Sequence, residues 1–256
     1  MKTTNTRRGR QAFTLNELCF VCAIIGIIAA FIFYPFINGA LINAGTTRVG
    51  NIGRNIVLAI ISANTEREAM RMGAVWPSTN ACVNPQKPNH DYTTDSISES
   101  YFADLVGRNP DEGAVENLRW FVFSGAGIPA ATTAAQFEYG GFNAWNYIAG
   151  LDEDAQDDTP FLITTNTKID RQKLELFSAK IDSKLTDAEI NALFGKGKPF
   201  GDVLMVFIQK GGGVQHMKGK YFRNPKQFLA SSQFDKIHNP NAKVIGAANG
   251  ELNRKK

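Results

Sequence analysis

Hydrophobic and polar positions follow two different rules along this chain. From Leu18 to Ile37, LCFVCAIIGIIAAFIFYPFI, no position carries a charge, and the next charged residue is Arg48. As an α-helix rising about 1.5 Å per residue the run is about 30 Å long, the thickness of a bilayer hydrocarbon core. Its apolar side chains surround the axis, which suits lipid or complete burial. Beyond it Val49, Ile52, Ile56, Ile60 and Ala63 recur at three- and four-residue steps. That period predicts one apolar face on a helix continuing to about Met72. Arg48, Arg54, Arg67 and Arg71 fall mostly off the stripe and read as solvated. Gly50 and Gly53 lower helix propensity, so tertiary packing is expected to hold this stretch.

The pattern then shortens. Gly73 to Asp95 reads as loop, because Pro77, Pro85 and Pro88 interrupt regular structure. Ser96–Glu99 has capping-box spacing ahead of a short helix marked by Ile97, Tyr101, Phe102 and Leu105 and closed by Gly107. Trp120–Ser124 and Phe161–Thr165 read as strands, and Asn143–Ala149 as a short helix. Thr186–Glu189 repeats the capping-box pattern before a helix ending near Gly195. Val203–Gln209 is the strongest strand. Gly211–Gly213 predicts a turn into a partner at Val214–Met217, with Lys220–Phe222 following. Asn224-Pro225 opens a helix toward Ala230, and the tail from Asn239 reads as loosely ordered. The sum is α+β: one long helix against a small antiparallel sheet with short extra helices.

Composition narrows the class. With 256 residues, 43% hydrophobic and 20% charged, the chain is neither wholly disordered nor a polytopic membrane protein. Three cysteines exclude a disulfide scaffold and a cysteine-based zinc module. The net charge of +4 resides in Lys2, Arg7, Arg8 and Arg10; the other 24 basic residues match 24 acidic ones. No nucleic-acid partner is expected from a chain so balanced.

The basic cluster before the span keeps that end cytoplasmic and places the bulk of the chain outside. A cleaved secretory signal fits poorly, since its apolar core runs about 7–15 residues and FINGALINAG offers no clean cleavage site. A twin-arginine signal lacks its apolar continuation at Gly9-Arg10-Gln11. A plain signal anchor is compatible, but it leaves Glu17 unexplained. An acid costs about 2.5–3.5 kcal/mol at the centre of a membrane helix and less near the interface. Cleavage between Ala12 and Phe13 would create an α-amine four residues before Glu17, with an ordinary pKa of about 7.7–8.0.

Gln11-Ala12-Phe13-Thr14-Leu15-Asn16-Glu17-Leu18, followed by the apolar run through Ala23–Ala30, resembles the N-terminal signal of type IV prepilins and type II secretion pseudopilins. The resemblance covers about the first 40 residues. Ala12 stands where the family usually has glycine, and Asn16 where it has an apolar residue. It implies cleavage by prepilin peptidase after Ala12, methylation of Phe13, and a role for Glu17 in pairing with a neighbouring subunit's N-terminal amine. It further implies a bend at Pro35 and a pilin-like fold. The corresponding divisions are a leader at 1–12, a membrane and assembly helix at 13–37, its continuation at 38–72, and an α+β head at 73–256. The implied location is the bacterial inner membrane, single-pass, with the head periplasmic and the subunit later in a filament. Other pilin or pseudopilin subunits and the inner-membrane assembly platform are the implied partners. A minor pilin with a ligand-binding head and a plain membrane-anchored domain are the alternatives.

Chemistry in the head is sparse. The acidic stretch Leu151–Asp158 offers calcium candidates in Asp152, Asp154, Asp157 and Asp158, since clustered carboxylates suit a hard cation. It fails the EF-hand pattern, with Asp157 at the glycine position and Ile163 at the glutamate position; a solvated loop is the competing reading, and no other cofactor is expected. Cys19 and Cys22 form a C-x-x-C within the apolar helix, where thiols act as small hydrophobes; burial is expected for Cys82. His90, His216 and His238 are scattered, and no metal site is expected from them. Asn143, Trp145 and Tyr147 read as core more than as a ligand patch. No nucleophile or metalloprotease signature occurs, so no enzyme is expected.

Overall fold

The computed structural model describes residues 14–107, 113–116, 118–170, 172–173, 186–218 and 242–253; within its helices the side chains of 35–38 and 190–191 are not described. The chain divides into two compact units, residues 1–44 and 45–256.

In the first unit helix α1 (Leu15–Ala69) begins and carries the uncharged run, with 18-residue mean hydropathy of 2.6. By length and composition this stretch can cross a membrane. Leu15, Phe20, Ile25, Phe31 and Tyr34 are all exposed, as a lipid-facing helix requires. Helical structure continues through Pro35, while the expected bend falls on residues whose side chains lie outside the description.

The second unit is α+β. The rest of α1 buries Val49, Ile56, Val57, Ile60 and Ala63, close to the stripe the sequence predicts, with Ile52 half-buried and Val57 added. Five antiparallel strands form one sheet: β1 (Trp145–Ala149), β2 (Pro160–Thr164), β3 (Leu204–Gln209), β4 (Val214–Lys218) and β5 (Lys243–Ile245), in the order β4-β3-β2-β1-β5. Every position of β1 and β2 is buried, so both faces of the sheet centre are covered. Edge strand β4 buries only Met217. Gly53 brings α1 onto the sheet: a Cβ there would lie 2.6 Å from both Ile208 and Trp145. Gly50 makes the same close approach to Val214.

Helix α2 (Ser98–Val106) supplies Tyr101 and Phe102 to an aromatic core with Tyr92, Phe123, Phe137 and Tyr147. Helix α3 (Ala134–Glu138) starts from Thr133, whose hydroxyl accepts the Gln136 N–H at 3.3 Å; the sequence reading missed it. Helix α4 (Asp187–Asn191) has the expected capping box: Thr186 N–H donates to Glu189 at 2.8 Å, and Glu189 N–H to Thr186 Oγ1 at 3.3 Å.

Several expectations are corrected. Ser96 does not cap α2, whose N-cap is Ile97 with no side-chain bond. Tertiary partners take the polar groups instead: Ser98 Oγ donates to Trp145 O, and Glu99 accepts the Ala248 N–H. Trp120–Phe123 is a 3-10 turn, not a strand: Trp120 packs on Phe137 and Phe123 on Phe102, while Phe121 is exposed. Trp145–Ala149 is a strand, not a helix; Asn143 turns the chain into it by accepting the Trp145 N–H at 2.9 Å. The tail is ordered where described: β5 pairs with β1, and Ala247 and Glu251 are buried. The elements expected at 220–222 and 224–230 lie outside the described residues.

Candidate functional site

Two regions hold the sequence-derived candidates, and each is built from local chemistry. At the start of α1, Thr14 and Glu17 form a reciprocal cap. The Thr14 N–H and hydroxyl donate to Glu17 Oε2 at 2.9 and 2.8 Å, and the Glu17 N–H donates back to Thr14 Oγ1 at 3.3 Å. This satisfies orphan donors at the helix terminus. Glu17 is exposed, and an acid in the first turn also complements the helix dipole. Ala12 and Phe13 lie outside the described residues. Cys19 and Cys22 are exposed on the apolar helix, and Cys82 is half-buried.

The acidic loop between β1 and β2 follows a logic that the sequence reading missed. Lys210, at the end of β3, is buried, and its ammonium donates to the carbonyls of Glu153 and Ala155 at 2.6 Å each. It also stands 5.2 Å from the Trp76 ring centre, within cation–π range. The loop is thus wrapped around a cation that belongs to the chain. Burial pushes the Lys210 pKa down, while Asp157, Asp152, Glu153 and Asp154 pull it up. Backbone bonds from Lys210 N–H to Thr159 O and from Gly211 N–H to Asp157 O tie the β3–β4 turn to the same loop. Asp152 accepts the Ala155 N–H at 3.1 Å. Among the described residues no three His, Cys, Asp or Glu side chains gather as a metal site; the four candidate aspartates do not converge. A lone lysine facing an acidic run was the available signal, but only the fold reveals that they meet.

Among the described residues three hollows mark the surface. One of ≈ 450 Å³ lies beside the acidic loop and is lined by Trp76, Cys82, Asn89, Asp152, Glu153 and Asp154 among others. Another of ≈ 490 Å³ runs along α2 past Lys87, Glu99, Asp104 and Glu138. The third, ≈ 410 Å³, lies by β5 and includes Asp95, Asp170 and Lys243. Several of their carboxylates, those of Asp95, Glu99, Asp104 and Asp170 among them, are engaged in holding loops. Asp104 takes Asn84 Nδ2, Lys87 Nζ and the Tyr92 hydroxyl within 3.0 Å. His90 lies 2.8 Å from Asp95, while His216 is exposed on β4 and His238 lies outside the described residues. Asn143, Trp145 and Tyr147 are buried and form core, not a ligand patch.

Arg67 is also corrected. It is buried, donating to Gly73 O at 2.7 Å and Cys82 O at 2.6 Å, and so closes the loop that follows α1. Arg48, Arg54 and Arg71 are exposed as expected. No family model, curated protein or solved structure matches the chain.

Proposed function

We propose that the chain is a structural, non-enzymatic subunit of a filament of the type II secretion pseudopilus or type IV pilus kind. One observation carries this reading: a basic leader, the string Phe13-Thr14-Leu15-Asn16-Glu17-Leu18 and an uncharged helical run follow one another without interruption. The subunit first rests in the bacterial inner membrane, single-pass, with its head outside. Prepilin peptidase removes residues 1–12 and methylates Phe13. At the assembly platform the helix leaves lipid for a bundle of sister helices, where its all-round apolar surface is buried again. Glu17 then meets the Phe13 ammonium of a neighbour. Both bonds that the Glu17 carboxylate accepts from Thr14 use Oε2; among the described residues Oε1 accepts nothing, which leaves it for that ammonium.

A plain anchor is the second reading, and the same cap favours it by giving Glu17 an intrachain task. Glu17→Gln separates them, because glutamine serves a capping box equally well but carries no charge. The filament reading expects normal processing and strongly reduced assembly of that variant; the anchor reading expects no change. N-terminal sequencing of membrane-derived protein decides the class. Methylated Phe13 is the expected first residue, and an intact Met1 overturns the filament reading.

A further inference from the structure

Two loops pack on α1 at the start of the second unit. The Phe200 ring lies 3.5 Å, and the Ala126 methyl 3.9 Å, from where a Cβ on Gly45 would be. One turn on, Gly125 faces Val49 so closely that a Cβ would come within 2.9 Å of it. The Lys198 side chain runs alongside Gly127, its Nζ 3.6 Å from the Cβ position. Residues 125–127 and 198–200 therefore make a partial collar against one side of Gly45–Val49, with Thr47 and Arg48 left exposed. Its outer surface is basic and partly apolar. Arg48, Lys196 and Lys198 are exposed, Val203 is 48% exposed, and Ile128 and Phe200 are half-buried. Among the described residues none of the three cations is ion-paired. The acids of the same stretch are Asp202, which is exposed, and Glu251, which packs on Gly195 and Gly197 and lies 3.7 Å from Lys168.

We infer that this collar docks on anionic phospholipid. The inference rests on the proposed membrane-anchored reading. Gly45 stands eight residues beyond Ile37, the last position of the uncharged span. That is about 12 Å at helical rise and under about 29 Å for fully extended chain, so the tether confines the collar near the bilayer however the two units are arranged. Headgroups reach about 5–7 Å beyond the hydrocarbon on each side. At helical rise the remaining gap falls inside the screening length of about 8 Å at physiological ionic strength. Lysine and arginine there can keep their charges at the phosphates while their stems, with Phe200 and Val203, meet the interface. A second copy of the chain is the competing occupant, but unpaired cations of one sign complement a phosphate surface better than one another.

The test uses the full chain, one molecule per lipid nanodisc, with discs of phosphatidylcholine alone and discs that include phosphatidylglycerol. Amide hydrogen exchange of residues 196–203 is the readout. Several-fold slower exchange in the anionic discs is expected, reversed by high salt and by the Lys196→Gln/Lys198→Gln double variant. Equal exchange in both discs overturns the inference. So does protection that appears only with two molecules per disc and ignores lipid charge, which would assign the collar to a contact between copies. Alkaline extraction of native membranes separates the two levels: a retained chain with equal exchange sinks the lipid contact alone, and an extracted chain sinks the anchored reading with it.

Discussion

Glu99 sits at the start of α2 with 1% of its surface exposed, and its carboxylate accepts the Ala248 N–H at 2.9 Å. Burial raises its pKa above the ordinary 4.5, and hydrogen bonds from Ala248, its own backbone, Asn143 and Ser98 oppose that rise. A raised folded-state pKa means that the folded chain holds this proton more tightly than the unfolded chain. The resulting stabilisation is complete below the unfolded value and is lost as pH rises through the folded one. At neutral pH Glu99 therefore contributes less to stability than it does below its ordinary pKa. Glu99→Gln keeps an acceptor for Ala248 and removes the charge. Its urea midpoint is expected above the wild-type value at pH 7, with the gap closing below about pH 4.5; a lower midpoint at pH 7 refutes this. The carboxylate's place at a helix start was visible in the capping-box spacing. Its partner, 149 residues away, was not.

Among the elements, α1 shows where local pattern ends and packing begins. The apolar stripe from Val49 to Ala63 was legible because helix geometry alone repeats it. Gly50 and Gly53 looked like weaknesses in that helix, yet three residues apart they leave room for Val214, Ile208 and Trp145 to approach. Gly53→Ala gains up to about 1 kcal/mol of helix propensity but forces a methyl within 2.6 Å of two core side chains. Such overpacking costs about 1–3 kcal/mol, so a net loss of roughly 1–2 kcal/mol is expected by chemical denaturation. Gly45→Ala, whose nearest neighbour would be an ordinary 3.5 Å away, is expected to keep that propensity gain and raise stability by up to about 1 kcal/mol. An equal loss from both would show that the glycines matter through the backbone. Strand β1 was misread for a related reason. With both faces buried it has no polar–apolar alternation, and an apolar run of that length fits helix or strand.

For the whole molecule, the second unit carries its own sheet, aromatic core and the inner half of α1. A chain beginning at Gly45 is therefore expected to stay in solution and to unfold cooperatively, as followed by circular dichroism. Aggregation or a non-cooperative melt would show that the core needs residues 1–44. The sequence by itself determined the apolar helix, its charge-free length, the basic residues before it, and the hairpin of β3 and β4 around Gly211–Gly213. Each of these is encoded by residues close together in the chain, through helix rise, hydrophobicity or turn geometry. Only the tertiary structure decided that Lys210 fills the acidic loop, that Arg67 and Glu99 are buried, and that Lys243–Ile245 completes the sheet beside β1. Those outcomes depend on which distant carbonyl, carboxylate or strand edge is left in need of a partner, and no local pattern records that.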